Sequence, residues 1–270
     1  MITVLTLNDM VIFTLAIFGL IIGSFLNVYI LRLNTGKDTT GRSACASCGS
    51  KLEVIDLIPV LSFLFLKGRC RKCKSRISFQ YPLVELVTAA GFVLIYIYNP
   101  LRVVYALPVL FFLFATSVVI ATYDIKHHII PQKLIYFLAI AVAVAFFATL
   151  YLHHSLYHLA DYFSAFLSVS VFSFPIFLIW FVSKGRGMGF ADVKLSAVLF
   201  WLMDWEKSWT AFTVAFVVGA LWGLAMLAYS KIKHKGVSLK TEIAFGPFIL
   251  LAFWVVYLSG ISIYDIIRII

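Results

Sequence analysis

The chain has 270 residues, of which 63% are hydrophobic and 13% charged, and its mean hydropathy is +1.01. That composition excludes an ordinary soluble domain and a disordered chain, and points to a membrane protein built from several spans. The formal net charge of +10 suits a nucleic-acid partner only if the basic residues form a binding face, and their distribution gives them another role.

Apolar runs long enough to cross a hydrocarbon core of about 30 Å as helices recur along the chain. They predict an all-α, polytopic membrane helix bundle of about eight spans, at 10–31, 81–98, 103–123, 131–152, 161–183, 192–203, 208–230 and 244–264. The 192–203 segment is too short to span alone. The first run, Met10 to Leu31, is longer than the apolar region of a secretory signal and ends at Arg32, so a retained span is expected.

Positive charge sets the orientation. Ten of the 22 Lys and Arg fall between Arg32 and Arg76, and nine more, at Lys126, Lys133, Lys184, Arg186, Lys194, Lys231, Lys233, Lys235 and Lys240, fall on the same side of the predicted bundle. Only Arg102, Lys207 and Arg268 fall on the other. The N-terminus is therefore expected outside and the 32–80 loop in the cytoplasm, with its basic residues beside anionic lipid headgroups and no nucleic-acid partner.

That loop carries Cys45-Ala-Ser-Cys48 and Cys70-Arg-Lys-Cys73, and the chain has no other cysteine. Paired Cys-x-x-Cys knuckles let Cys45, Cys48, Cys70 and Cys73 close a tetrahedron of thiolates, which favours zinc over hard cations. Two disulfides are the alternative, disfavoured by a reducing compartment. A four-cysteine site has no open position, so a structural zinc is expected. Between the knuckles, Ile58 to Leu66 is apolar but too short to span, and is expected to lie against the membrane face.

Acidic residues in or beside spans are costly in lipid and mark functional candidates. Asp124 follows the run ending at Tyr123; Asp192 follows the glycine-rich stretch Gly187-Met-Gly-Phe-Ala191; Glu85 lies near the start of the second span. All three map to the cytoplasmic side. Two carboxyl groups at one depth can share a proton and divide acid and base roles around a scissile carbonyl. Two solvated or capping aspartates at helix ends are the other reading of the same positions. A phosphate-binding loop is excluded at 184–195, because the stretch follows an apolar span and lacks the Gly-Lys-Ser/Thr ending. His127 and His128 read as solvated, and His154 and His158 lack a third ligand for a metal. Pro175 is expected to kink its helix.

These motifs, in their order, resemble the type IV prepilin peptidases, the Gly-x-Gly-Asp class of intramembrane aspartyl proteases. Gly23-Ser-Phe-Leu-Asn-Val28 with Arg32, Asp56 to Ser62 between the cysteine pairs, Gly68 to Cys73, Ile77-Ser78 and Tyr81-Pro-Leu-Val-Glu85 carry the first third of the resemblance. Asp124 with Ile130-Pro131, Met188 to Leu195, and Phe245-Gly-Pro-Phe248 carry the rest. Two positions depart from the family pattern: Ala191 replaces its second glycine, and Gln80 stands where arginine is common.

The resemblance implies that Asp124 and Asp192 form a catalytic dyad, with Glu85, Gly189 and Lys194 in the surroundings of the dyad or its substrate. It implies that the four cysteines hold zinc, and that the substrates are prepilins or pseudopilins whose basic leaders stay cytoplasmic. It implies N-methylation of the new pilin N-terminus from S-adenosylmethionine, and residence in the bacterial inner or plasma membrane. The expected organisation is a first span at 1–31, a zinc loop at 32–80 and a protease core at 81–270. A non-catalytic zinc-bearing scaffold and a proton-coupled transporter are the rival readings, the latter lacking a repeated pair of broken helices.

Overall fold

The structure, a computed structural model, describes residues 7–35, 41–98, 106–152, 159–232, 244–263 and 265. Nine α-helices account for most of these residues: α1 Leu7–Arg32, α2 Leu61–Phe65, α3 Gln80–Tyr98, α4 Leu107–His127, α5 Gln132–Leu152, α6 Leu159–Ser183, α7 Phe190–Phe200, α8 Trp205–Ile232 and α9 Gly246–Ser259. Each of the eight predicted spans appears as a helix, as the all-α expectation requires. Five described helices are long and apolar enough to cross a membrane, and α5 is apolar over its described side chains. The 192–203 and 244–264 predictions shorten: α7 has 11 residues and α9 has 14, about 16 and 21 Å long at 1.5 Å per residue. His154 and His158 lie outside the described residues, as do Arg102, Lys233, Lys235, Lys240 and Arg268.

The chain divides into two compact units, Met1–Ile97 and Tyr98–Ile270. In the first, α1 and α3 approach at backbone distance. A Cβ added at Gly19 would lie 2.5 Å from the Ala89 Cα, and one at Gly23 2.6 Å from the Glu85 Cα. Glycines four apart on one helix face permit this approach, the small-residue packing that holds helices together in lipid where apolar burial drives little. Asn27, fully buried, donates through Nδ2 to the Tyr81 carbonyl at 3.0 Å, a polar stitch between the same two helices.

The loop between them contains the short 3-10 helix Val54–Leu57 and α2. Arg71 Nε donates to Asp56 Oδ1 at 2.8 Å. Burial favours the neutral carboxyl, but the Arg71 guanidinium and the Glu53 amide outweigh it and hold Asp56 below the usual carboxylate range.

In the second unit, α4 packs against α5 and α9, α7 against α5, α6 and α9, and α8 against α6 and α9. Its core is aromatic. Phe172 is enclosed by the rings of Phe200, Trp205, Trp209 and Phe212, at 4.9–6.1 Å. Trp254 of α9 donates from Nε1 to Ser117 Oγ of α4 at 3.1 Å, so a buried indole meets an acceptor as it must in a dry interior. Many large apolar side chains face outward, among them Phe181 and Leu221, which suits helices whose solvent is acyl chain.

Candidate active site and metal cluster

Asp124 lies in the last turn of α4, buried, although a helix ending before it was predicted. The helix continues to His127 and stops at His128, whose φ of 52° ends it in the left-handed conformation while its amide donates back to the Asp124 carbonyl. The His127 ring packs against Tyr123, and both histidines are exposed.

Asp192 lies in the first turn of α7 and is also buried. Its Oδ2 accepts the Gly189 N–H at 3.2 Å, so the carboxylate caps its own helix. Gly189 is extended, with φ −75°, and serves as the cap. Positive φ in the glycine-rich stretch falls only on Gly185 and the adjoining Lys184. Ala191 lies inside α7 at negative φ, so replacing the family's glycine there introduces no backbone strain.

The two carboxyl groups are close enough to interact electrostatically. Helix α9 joins their surroundings, since it packs on both α4 and α7. Its first residue, Gly246, donates its amide toward the Asp124 carboxyl. A Cβ at Gly246 would lie 2.7 Å from Asp124 Oδ2 and 3.0 Å from Ile130 Cδ1. One oxygen of each carboxyl, Asp124 Oδ2 and Asp192 Oδ1, is buried without a hydrogen-bond partner among the described residues. Such groups are costly to bury unpaired and are common where chemistry occurs.

Lys194, on the same helix as Asp192, bonds Gln132 Oε1 at 2.9 Å and stands over the Phe190 ring. Glu85 belongs to the first unit, where it accepts the Val60 N–H and a hydrogen bond from Ser24. Sequence reasoning left Gly246 without a role; its place at the start of an apolar helix beside Pro247 was the available signal.

The four cysteines converge. All four sulfurs lie within 4.8 Å of one another, and Cys45 and Cys73 Sγ are 3.8 Å apart. A tetrahedron with metal–sulfur bonds of about 2.3 Å has edges of about 3.8 Å, so the donor set fits a zinc-sized ion. The knuckles share one turn. The Gly49 amide returns to the Cys45 carbonyl as the Lys74 amide does to that of Cys70, and Gly49 and Lys74 take left-handed φ of 68° and 59°. Ser50 and Ser75 hydroxyls lie 3.1 Å from Cys48 and Cys73 sulfurs. The Cys48 and Ser47 amides, aimed at Cys45, lower its thiol to about 6, which favours the thiolate a metal needs.

These features define a multi-pass membrane protein with a buried aspartate pair in its helical bundle and a four-cysteine loop. Family profiles agree with that class: the Bacterial Peptidase A24 N-terminal domain matches residues 17–99, and the Type IV leader peptidase family matches residues 111–224. The chain is 31% identical to the prepilin leader peptidase/N-methyltransferase of Bacillus subtilis, over 92% of this chain and 94% of the relative. It is 28% identical to the protein of that name from Dichelobacter nodosus, over 93% of each chain. The same holds at 28% for the one from Pseudomonas aeruginosa, over 90% of this chain and 88% of the relative. The chain belongs to the Type IV leader peptidase family. No solved structure matches it significantly.

Proposed function

We propose that the chain is a membrane aspartyl endopeptidase that removes the short leader of prepilins and pseudopilins, with Asp124 and Asp192 as its catalytic dyad. The observation that carries this reading is the pairing of two buried, electrostatically interacting carboxyls, each with an unpartnered oxygen. Two such carboxyls hold one proton between them, because two adjacent buried negative charges are too costly. The ionised group takes a proton from water as its oxygen attacks the scissile carbonyl. The protonated group hydrogen-bonds the developing oxyanion, and a proton then passes to the leaving nitrogen as the C–N bond breaks. The Gly246 and Gly189 amides hold the two side chains in place for this exchange. Gly189 and Lys194 are assigned to the surroundings of dyad and substrate.

The Lys and Arg distribution supports an N-terminus outside and an active site at the cytoplasmic face of a bacterial inner or plasma membrane. The functional division is a first span at 1–31, a loop at 32–80 and a protease core at 81–270. Cys45, Cys48, Cys70 and Cys73 hold a structural zinc that staples the loop. The relatives' names support N-methylation of the newly exposed amine, with S-adenosylmethionine as donor. The described residues contain no strand–turn–helix nucleotide cradle, so the loop and the membrane face are left to bind that donor. The transporter reading has less support, because both aspartates lie in terminal turns of helices and not at their middles.

The purified protein, given a prepilin-like peptide and S-adenosylmethionine, is expected to release the leader and methylate the new N-terminus, read by mass. Intact peptide after prolonged incubation overturns the peptidase reading.

A further inference from the structure

The segment between the cysteine knuckles exposes more apolar surface than a water-facing loop ordinarily carries. Val54 is 80% exposed and Phe65 82%, and Ile55, Leu61 and Leu64 are also exposed. At the centre of this segment Pro59-Val60-Leu61 forms a three-residue turn closed by the Leu61 amide on the Pro59 carbonyl. Val60 there has φ 60° and ψ −49°, a strained conformation that a β-branched residue rarely adopts. Such a conformation persists only where its surroundings enforce it.

Glu85 enforces it. Its Oε2 accepts the Val60 N–H at 2.8 Å, and its side chain is buried, bonded also by Ser24. Glu85 lies five residues into α3, so the turn sits about 7.5 Å along that helix from its start. Where α3 enters a bilayer, that depth is the boundary of headgroups and acyl chains. Irregular backbone is tolerated there when its polar groups are satisfied, and the Val60 and Leu61 amides both are. Beside Phe65, the exposed Lys67, Arg69 and Lys74 line one cleft with it, a basic rim that complements anionic headgroups.

We propose that residues 54–65 form a membrane-docking turn, latched to α3 by Glu85, which seats Val54, Ile55, Leu64 and Phe65 among the acyl chains of an anionic leaflet. The turn is independent of the peptidase reading and rests only on α3 being a span.

The test uses the full chain in vesicles of phosphatidylcholine and phosphatidylglycerol, with a fluorescent amino acid in place of Phe65 or, as the aqueous reference, of the exposed Ser47. The probe at 65 is quenched by lipids brominated high on the acyl chain, and aqueous iodide reaches it about threefold less than the probe at 47. Glu85→Leu restores iodide access, whereas Glu85→Gln, which keeps an acceptor for the Val60 amide, does not. Equal iodide access at 65 and 47 in the otherwise wild-type chain overturns the proposal. So does protection that arises only when a prepilin-like peptide is added, which gives the face to substrate instead of lipid.

Discussion

Gly246 and the Asp124 carboxyl lie in contact, closer than any side chain at position 246 would allow. A Cβ there would stand 2.7 Å from Asp124 Oδ2 and 3.0 Å from Ile130 Cδ1, so the requirement for glycine is one of space. Gly246→Ala is therefore expected to turn the carboxyl away from its place and lower the rate of leader cleavage by about a hundredfold, the scale on which small misplacements act. Initial rates in membranes check this, with protein level and metal content unchanged.

The close approach of α1 and α3 leads to a stability prediction. Because a Cβ at Gly23 would meet backbone atoms of Glu85, and backbone cannot rotate aside, Gly23→Val is expected to cost about 1–3 kcal/mol. Thermal unfolding in detergent should show a lower Tm for this variant, while Ile21→Leu, at an exposed position of the same helix, leaves it unchanged.

The ion pair of Asp56 and Arg71 predicts a pH dependence. Asp56 has a folded pKa below its ordinary value of 3.8, so its contribution is present above that value and is lost as pH falls through the folded pKa. Arg71 is half exposed, which limits the contribution to about 0.2–1 kcal/mol. Asp56→Asn should lower the resistance of the loop to denaturant at pH 7, and the difference from wild type should vanish under strongly acidic conditions.

At one equivalent position of the two knuckles, Gly49 and Lys74 both hold left-handed backbone. Lysine pays a steric cost there that glycine avoids. Lys74→Gly is expected to stabilise the loop by about 1 kcal/mol, and Gly49→Lys to destabilise it by a similar amount. Resistance of bound metal to a chelator measures both.

The longer helices were legible because their apolar runs are long enough to set their own structure in lipid, and the metal cluster because knuckle spacing constrains sulfur positions locally. Helix ends were harder. The 103–123 run continues as α4 to His127 because its stop is a histidine in left-handed conformation, where sequence offers a clear signal only when glycine occupies it. Contacts between distant segments left no local trace. Gly246 meets Asp124 across more than a hundred residues, and Glu85 serves a strained turn before the second knuckle; both are products of packing, which periodicity and spacing do not encode. Asp192 follows a glycine-rich stretch, yet Gly189 is extended, because the role there is to present an amide to a carboxylate.

The most direct test of the dyad is leader cleavage of a co-expressed prepilin in membranes, comparing wild type with Asp124→Asn and Asp192→Asn and reading leader loss by mass. Asparagine keeps the shape and removes the proton exchange, so each single variant is expected to abolish cleavage while membrane level and metal content hold. Cleavage near the wild-type rate by either variant would contradict the two-carboxylate mechanism.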